Sequence, residues 1–172
     1  MIATIGYEKA ELADFLATLT QAGISVLVDI RDRAQSRRPG FSKSAISRAL
    51  EDAGIAYLHI PALGDPKAGR EAARRGDFRT FRRIFGEVMA SDSAIQAMAN
   101  LIDLASVNNL CVMCYERDQA QCHRKIVSDH LCAAMNVRAL HLGVRAGAGN
   151  DPGKRRVRHP HQGAATPVER VF

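Results

Sequence analysis

The chain has no tryptophan, and aromatic residues make up only 5% of it. Stacking of bases on aromatic rings drives sequence-tolerant single-strand binding, so that class of nucleic-acid platform is disfavoured from the start. Long apolar runs are missing too. Nothing approaches the roughly 18 residues a spanning helix requires, and no membrane partner is expected. The opening Met1-Ile2-Ala3-Thr4 has neither a basic n-region nor an extended apolar h-region, so no secretory signal is expected. Cysteine is limited to positions 111, 114, 122 and 132. Without an export signal, reduced thiols in a cytoplasmic setting are the expectation. No internal repeat is present.

What the chain does have is a length of 172 residues with 47% hydrophobic content, enough for one domain with a proper core. Its net charge of +6 is unevenly placed. Residues 145–172 carry Arg145, Lys154, Arg155, Arg156, Arg158 and Arg170 against Asp151 and Glu169. They also turn to Gly, Ala and Pro with almost no apolar periodicity. The expectation is a single α/β domain over residues 1–144 followed by a flexible basic tail over 145–172. A polyanionic partner is compatible with this balance, although much of the signal lies in the tail.

Hydrophobic periodicity supplies the elements. Ile2 to Gly6 is a short apolar strand, and Leu12, Phe15, Leu16 and Leu19 recur at helical spacing up to Gly23. Ser25 to Ile30 is apolar on both faces until Asp29, as in a parallel strand covered on both sides. Ser42 starts a helix whose apolar face is Ala45, Ile46, Ala49, Leu50 and Ala53. Ala56 to Ile60 is a third strand. Two helical faces follow, one of Phe78, Phe81, Phe85 and Val88, the other of Ile95, Met98, Ile102 and Ala105. Leu110 to Cys114 is a fourth strand. Asp118-x-x-Gln121 reads as a capping box opening a last helix with Ile126, Val127, His130, Leu131 and Ala134 on its apolar face. Asn136 is its left-handed stop, and Val137 to Leu142 is a fifth strand. The order predicts an open, mostly parallel five-stranded sheet with helices on both faces, Rossmann-like or flavodoxin-like in three layers. An extra helical pair precedes the fourth strand.

Ligands of such sheets sit beyond the carboxyl ends of the strands, so the residues that follow each strand are the candidates. Tyr7 follows the first strand. Asp29, Arg31 and then Ser36-Arg37-Arg38-Pro39-Gly40 follow the second, and His59 ends the third. Cys114 and Glu116 end the fourth, and Cys122-His123-Arg124 open the last helix. Arg31, Arg37, Arg38 and Arg124, with Tyr7, are the candidate anion-binding set, because forked guanidinium donors match phosphate and carboxylate oxygens. The first turn of the last helix adds free N–H groups. Taken one at a time, each arginine is equally at home in an ion pair with Asp29, Asp32 or Glu116.

Cys122, His123, His59 and Glu116 are the candidate catalytic residues. A thiol at a helix start beside His123 and Arg124 has two causes for a lowered pKa and would suit a nucleophile. The competing reading makes Cys122 a small buried hydrophobe at the edge of the apolar face. Both stand. Cys111 and Cys114 lie three apart on a strand and point to opposite faces, so they neither share a metal nor form a bridge. Cys111 is expected in the core. Cys114, Cys122 and His123 together make an incomplete ligand set, so no metal site is assigned and no cofactor is named. Cys132 is placed on the polar side of its helix and given no role, and His130 is placed in the core.

Thr4-Ile5-Gly6-Tyr7-Glu8, Val28-Asp29-Ile30-Arg31, Ser36 to Lys43, His59 to Gly64, and Cys114-Tyr115-Glu116 leading to Cys122-His123-Arg124 together resemble the Domain of Unknown Function 488 family. The resemblance runs from residue 4 to about residue 143. It implies a small α/β domain whose signature residues coincide with the strand-end residues above, and it implies no activity. Gln119 departs from it, standing where the resemblance leads one to expect proline.

The function these residues favour is an anion site for a phosphate-bearing ligand at the carboxyl edge of the sheet. It would belong to an enzyme acting on a nucleotide or nucleic acid through a reactive cysteine. The first alternative is a non-catalytic nucleic-acid-binding module using the basic stretch 67–83 and the tail. The second is a metal-binding protein through Cys114, Cys122 and His123.

Overall fold

The computed structural model describes residues 1–150. Its sheet is five-stranded, with every pairing parallel and the order β3-β2-β4-β1-β5. The strands are β1 (Ile2–Gly6), β2 (Val26–Asp29), β3 (Ala56–His59), β4 (Leu110–Cys114) and β5 (Leu140–Leu142). The helices are α1 (Leu12–Gln21), α2 (Lys43–Asp52), α3 (Lys67–Arg74), α4 (Phe78–Met89), α5 (Asp92–Val107) and α6 (His123–Met135). The open, parallel three-layer architecture expected from the periodicity is the one observed. Among the described residues no helix is long and apolar enough to cross a membrane.

β1, β2 and β4 are buried along their whole length, which is why they read as continuous apolar runs, whereas β3 and β5 form the exposed edges. Alternate residues feed two cores. Ile5, Leu27 and Met113 pack with Phe15 and Leu19 of α1 and Ile46 and Leu50 of α2. Val28 and Val112 pack on the other face with Phe85 of α4, Leu101 of α5 and Leu131 of α6. Each such fully buried side chain contributes about 1.5–3 kcal/mol. The division has a functional consequence. The chain leaving β1 and β2 passes to one face and the chain leaving β3 and β4 passes to the other. A crevice therefore opens at the carboxyl ends of β1, β2 and β4.

Several expectations are corrected here. Between β3 and β4 there are three helices rather than a pair. α3 escapes the periodicity because its buried positions are Gly69 and Ala72, too small to register as an apolar stripe. Asp118 does act as a cap, accepting from the Ala120 N–H at 2.9 Å, but it caps a 3-10 turn over Gln119–Gln121. α6 begins only after Cys122, whose sulfur accepts from the Arg124 N–H. Its buried stripe is His123, Arg124, Val127, Ser128, Leu131 and Cys132. The helix is turned so that its polar first turn faces inward, which leaves His130 exposed and draws Cys132 into the core. Asn136 ends the helix with φ 52°, as expected. β5 is shorter than expected, covering only residues 140–142.

The body also extends past residue 144. Asp14, buried on α1, accepts from the N–H groups of Gly147 at 3.0 Å and Gly149 at 2.8 Å. A Cβ on Gly149 would collide with Ala13, so the approach requires glycine. The remainder of the expected tail, 151–172, lies outside the described residues.

Asp14→Ala should free residues 145–150 from α1 while leaving the sheet intact. Hydrogen exchange at Gly147 and Gly149 should accelerate by at least about tenfold, the equivalent of roughly 1.4 kcal/mol of lost capping. Unchanged protection of both amides would mean that Asp14 does not hold the segment.

Candidate functional site

A cavity of about 700 Å³ occupies the crevice, within the range typical of small-molecule sites. Six arginines reach its wall: Arg31, Arg33, Arg37, Arg38, Arg70 and Arg74. Asp32, Asp65 and Glu116 are the carboxylates there, and Tyr7, Tyr115, Cys114 and His123 complete the part of the lining that carries chemistry.

The arginines divide by how fully their donors are occupied. Arg31 is buried and committed. Its Nε and Nη2 grip the Asp29 carboxylate, with the closest contact at 2.6 Å, and its Nη1 donates to the Tyr7 hydroxyl at 2.8 Å and the Phe41 carbonyl at 2.9 Å. Burial alone would lower the Arg31 pKa, but the facing Asp29 carboxylate outweighs it and holds the guanidinium charged. Asp29 also accepts from the Tyr57 hydroxyl at 2.7 Å; burial and that acceptor push the Tyr57 phenol up. Tyr7, stacked on Phe41 with ring centroids 4.5 Å apart, is the other end of this network. Arg31 and Tyr7 thus shape the wall.

Arg124 was expected to hold an anion, and the structure places it elsewhere. It is 1% exposed, does not line the cavity, and donates from Nη1 and Nη2 to the carbonyls of Glu116 and Arg117. It ties the loop after β4 to the start of α6. Gly6 makes this possible, because a Cβ there would collide with the Glu116 carbonyl and the Arg124 guanidinium. His59 is likewise not on the cavity wall. Its Nε2–H donates to the Arg31 carbonyl at 2.8 Å, so it steadies the chain after β2.

Arg37 and Arg38 line the cavity as expected. Arg38 donates to the Ala10 carbonyl at 2.7 Å and pairs loosely with Glu11 at 3.4 Å. Arg37, Arg33 and Arg74 are exposed and make no side-chain hydrogen bond or ion pair among the described residues. Arg70 reaches Asp32 at 3.0 Å and the Asp65 carbonyl. Arg33, Arg70, Arg74, Asp32 and Asp65 also line the cavity, although none was assigned a role at the site from the sequence. The signal for Asp32 and Asp65 was their place just beyond β2 and β3; Arg70 and Arg74 sat within the basic stretch 67–83, which was assigned to the nucleic-acid-binding alternative and not to the edge of the sheet.

The floor gathers Cys114, Glu116, Cys122 and His123, whose ligand atoms all lie within 4.8 Å of one another. His123 Nε2–H donates to the Ile30 carbonyl at 3.0 Å, which turns Nδ1 toward the sulfurs of Cys114 at 3.6 Å and Cys122 at 3.9 Å. The Cys114 thiol meets the Glu116 carboxylate at 3.2 Å. Burial pushes the Cys122 thiol well up, and the adjacent Cys114 adds to the rise. That is opposite to the lowering expected from the helix start, His123 and Arg124, whose guanidinium turns to carbonyls instead. Burial raises Cys114 as well. Burial would depress the His123 imidazole, yet the facing Cys122, the Ile30 carbonyl and Glu116 lift it to about 9. Glu116 is pushed up by burial but held below its ordinary range by the neighbouring thiols and His123. Above this floor, Asp65 is buried with Oδ1 unpartnered among the described residues, and burial raises its carboxyl to about 6.

A family model described as Domain of unknown function DUF488 matches residues 11–131, from the residue before α1 into α6. No curated protein matches the chain, and no solved structure matches it.

Two outcomes follow from this geometry. Arg124→Ala should cost about 3 kcal/mol in urea unfolding, since it opens a cavity and strips two loop carbonyls of their donor; a loss below about 1 kcal/mol would contradict the clamp. Asp65 gives a pH signature. Its folded carboxyl, raised from 3.8 to about 6, keeps a proton that the unfolded chain has released. Stability should therefore fall as pH rises from about 4 to about 6. Thermal unfolding of Asp65→Asn across that window should lack this component of the fall, and identical profiles would remove the assignment.

Proposed function

The chain belongs to the DUF488 family, whose name assigns no activity, and we propose that its cavity binds a phosphate-bearing ligand of nucleotide size. One observation carries this reading: Arg33, Arg37 and Arg74 present guanidinium groups with uncommitted donors to a cavity of about 700 Å³. Arginines that converge on a concave wall without a side-chain partner among the described residues suit phosphate oxygens through their fork geometry. Tyr115, 44% exposed and edge-on to Tyr7, offers the one uncovered aromatic face of the lining for a base.

A reaction on that ligand would draw its protons from the floor. Asp65, with its carboxyl near 6 and Oδ1 unpartnered among the described residues, is the group placed for proton transfer close to neutral pH, the range in which general acids and bases work best. The nucleophile's role does not pass to Cys122, which is 3% exposed and off the cavity wall. Cys114 is the sulfur the cavity reaches. The nucleic-acid-module reading, built on the basic stretch 67–83 and the tail, shares Arg70 and Arg74 with the cavity wall and differs through Arg75, Arg79, Arg82 and Arg83, which are exposed but do not line the cavity.

The test is calorimetric titration with pyrophosphate and with nucleoside diphosphates and triphosphates. Arg37→Ala and Arg74→Ala should each weaken binding about tenfold, the equivalent of 1.4 kcal/mol, with unchanged melting temperature. Undiminished affinity in the Arg33/Arg37/Arg74 triple alanine variant would refute the pocket. Binding only to long polyanions, steeply salt-dependent and lost with Arg79, Arg82 and Arg83, would favour the nucleic-acid module instead.

A further inference from the structure

The cavity floor carries an arrangement that anion binding does not require. Two sulfurs, one imidazole nitrogen and one carboxylate, from Cys114, Cys122, His123 and Glu116, converge within 4.8 Å of one another. They come from the end of β4 and the start of α6, two elements locked together by the buried Arg124. The separations of 3.6 Å and 3.9 Å between His123 Nδ1 and the two sulfurs, and 3.2 Å between Cys114 and Glu116, resemble the edges of a coordination tetrahedron. With metal–sulfur bonds of about 2.3 Å and metal–nitrogen bonds of about 2.0–2.1 Å, such edges run to roughly 3.5–3.8 Å.

The Ile30 carbonyl can only accept, so Nε2 of His123 carries the proton of that 3.0 Å bond. Nδ1 is left aimed at the cluster, the arrangement by which a ligating histidine is usually fixed. The backbone N–H of Arg124 points at the Cys122 sulfur at 3.5 Å, as N–H groups do toward a metal thiolate, and the positive end of α6 lies behind it.

We propose that Cys114, Cys122, His123 and Glu116 bind one divalent transition-metal ion of tetrahedral preference, zinc being the best match to a donor set of two sulfurs, a nitrogen and an oxygen. The four donors are not equivalent. Cys122 is enclosed, whereas Glu116 is half-buried and lines the cavity. Glu116 is therefore the ligand that exchanges, and it opens the ion toward the arginine wall, as in sites that keep one position for substrate. The two thiol protons and any proton on Nδ1 leave to solvent when the ion binds. Glu116 completes the set that Cys114, Cys122 and His123 left incomplete in the sequence.

Cobalt(II) titration of the full chain, reduced and stripped with chelator, tests the site directly. The expected result is saturation at a single equivalent, with the intense visible bands of tetrahedral cobalt and a near-ultraviolet thiolate charge-transfer band. Zinc should displace the cobalt. Cys114→Ser and Cys122→Ser should each weaken the charge-transfer band, and the double variant should abolish it. Glu116→Gln should retain that band with altered visible bands. Absence of a thiolate band in the unsubstituted protein, which needs no variant to fold, would overturn the proposal. So would a band that persists in the double serine variant. The inference stands apart from the anion pocket. Cobalt binding should survive in the Arg33/Arg37/Arg74 variant, and pyrophosphate titration of the metal-stripped protein reports on the arginines alone.

Discussion

The candidate site depends on a guanidinium that lies off the cavity wall. Arg124 is the largest fully buried side chain of the described residues, and a charge of that size in an interior calls for acceptors; Nη1 and Nη2 find them, while Nε has none among the described residues. Glu116 and Arg117 supply the acceptors through their carbonyls, so the loop after β4 must fold back over the end of β1. The backbone of β1 continues the grip past its last residue, with Tyr7 N–H donating to Cys114 at 3.3 Å and Glu8 N–H to Tyr115 at 2.8 Å. The Glu8 side chain then accepts from the Arg117 N–H at 3.1 Å. Gly6 is the consequence of this crowding. With the loop fixed on both sides, Cys114 and Glu116 face Cys122 and His123 at distances set by backbone, not by flexible side chains.

The same economy governs the chain after β2. Its successive carbonyls at Ile30 and Arg31 are held by two histidines from different elements, His123 at 3.0 Å and His59 at 2.8 Å. Arg31 itself is folded back on Asp29, a two-residue hook that satisfies both charges without solvent. Breaking one member of such a buried pair typically costs about 3–5 kcal/mol. The groups that look most catalytic in composition are in large part the groups that keep the edge of the sheet in place. On the cavity wall, the arginines without a side-chain partner among the described residues are the exposed ones, Arg33, Arg37 and Arg74.

That division explains what could be read from the sequence. Strands with both faces buried announce themselves, and β4 runs over the residues expected for it, 110–114. The edge location of the site also follows from strand order alone, since each candidate sat at a strand end or helix start. Side-chain commitment does not follow. Arg31, Arg37, Arg38 and Arg124 are alike as letters, and only packing separates the buried, committed Arg31 and Arg124 from the less buried Arg37 and Arg38. The stripe of α6 was hidden for a related reason: His123, Arg124 and Ser128 belong to it, so a search for apolar periodicity rotates the helix toward His130. α3 was hidden because it docks through a glycine and an alanine. For Cys122, the helix start and the adjacent cations pointed to a lowered pKa, but enclosure outweighs both.

Burial also arranges the charge of the crevice in depth. At the floor, the raised His123 and the lowered Glu116 place a positive and a negative group side by side, with two thiols kept protonated by desolvation. The floor is therefore near electrical balance. At the wall, Arg33, Arg37 and Arg74 have no described carboxylate partner, and the potential there is positive. On the proposed reading, an anion entering such a cavity would gain most of its attraction at the wall, while its other end would reach the buried floor where proton transfer or a metal could act. Attraction to the part of a ligand that does not react can then hold the reacting part in position. Separation of an anchoring wall from a balanced floor is what distinguishes this edge from a general basic surface.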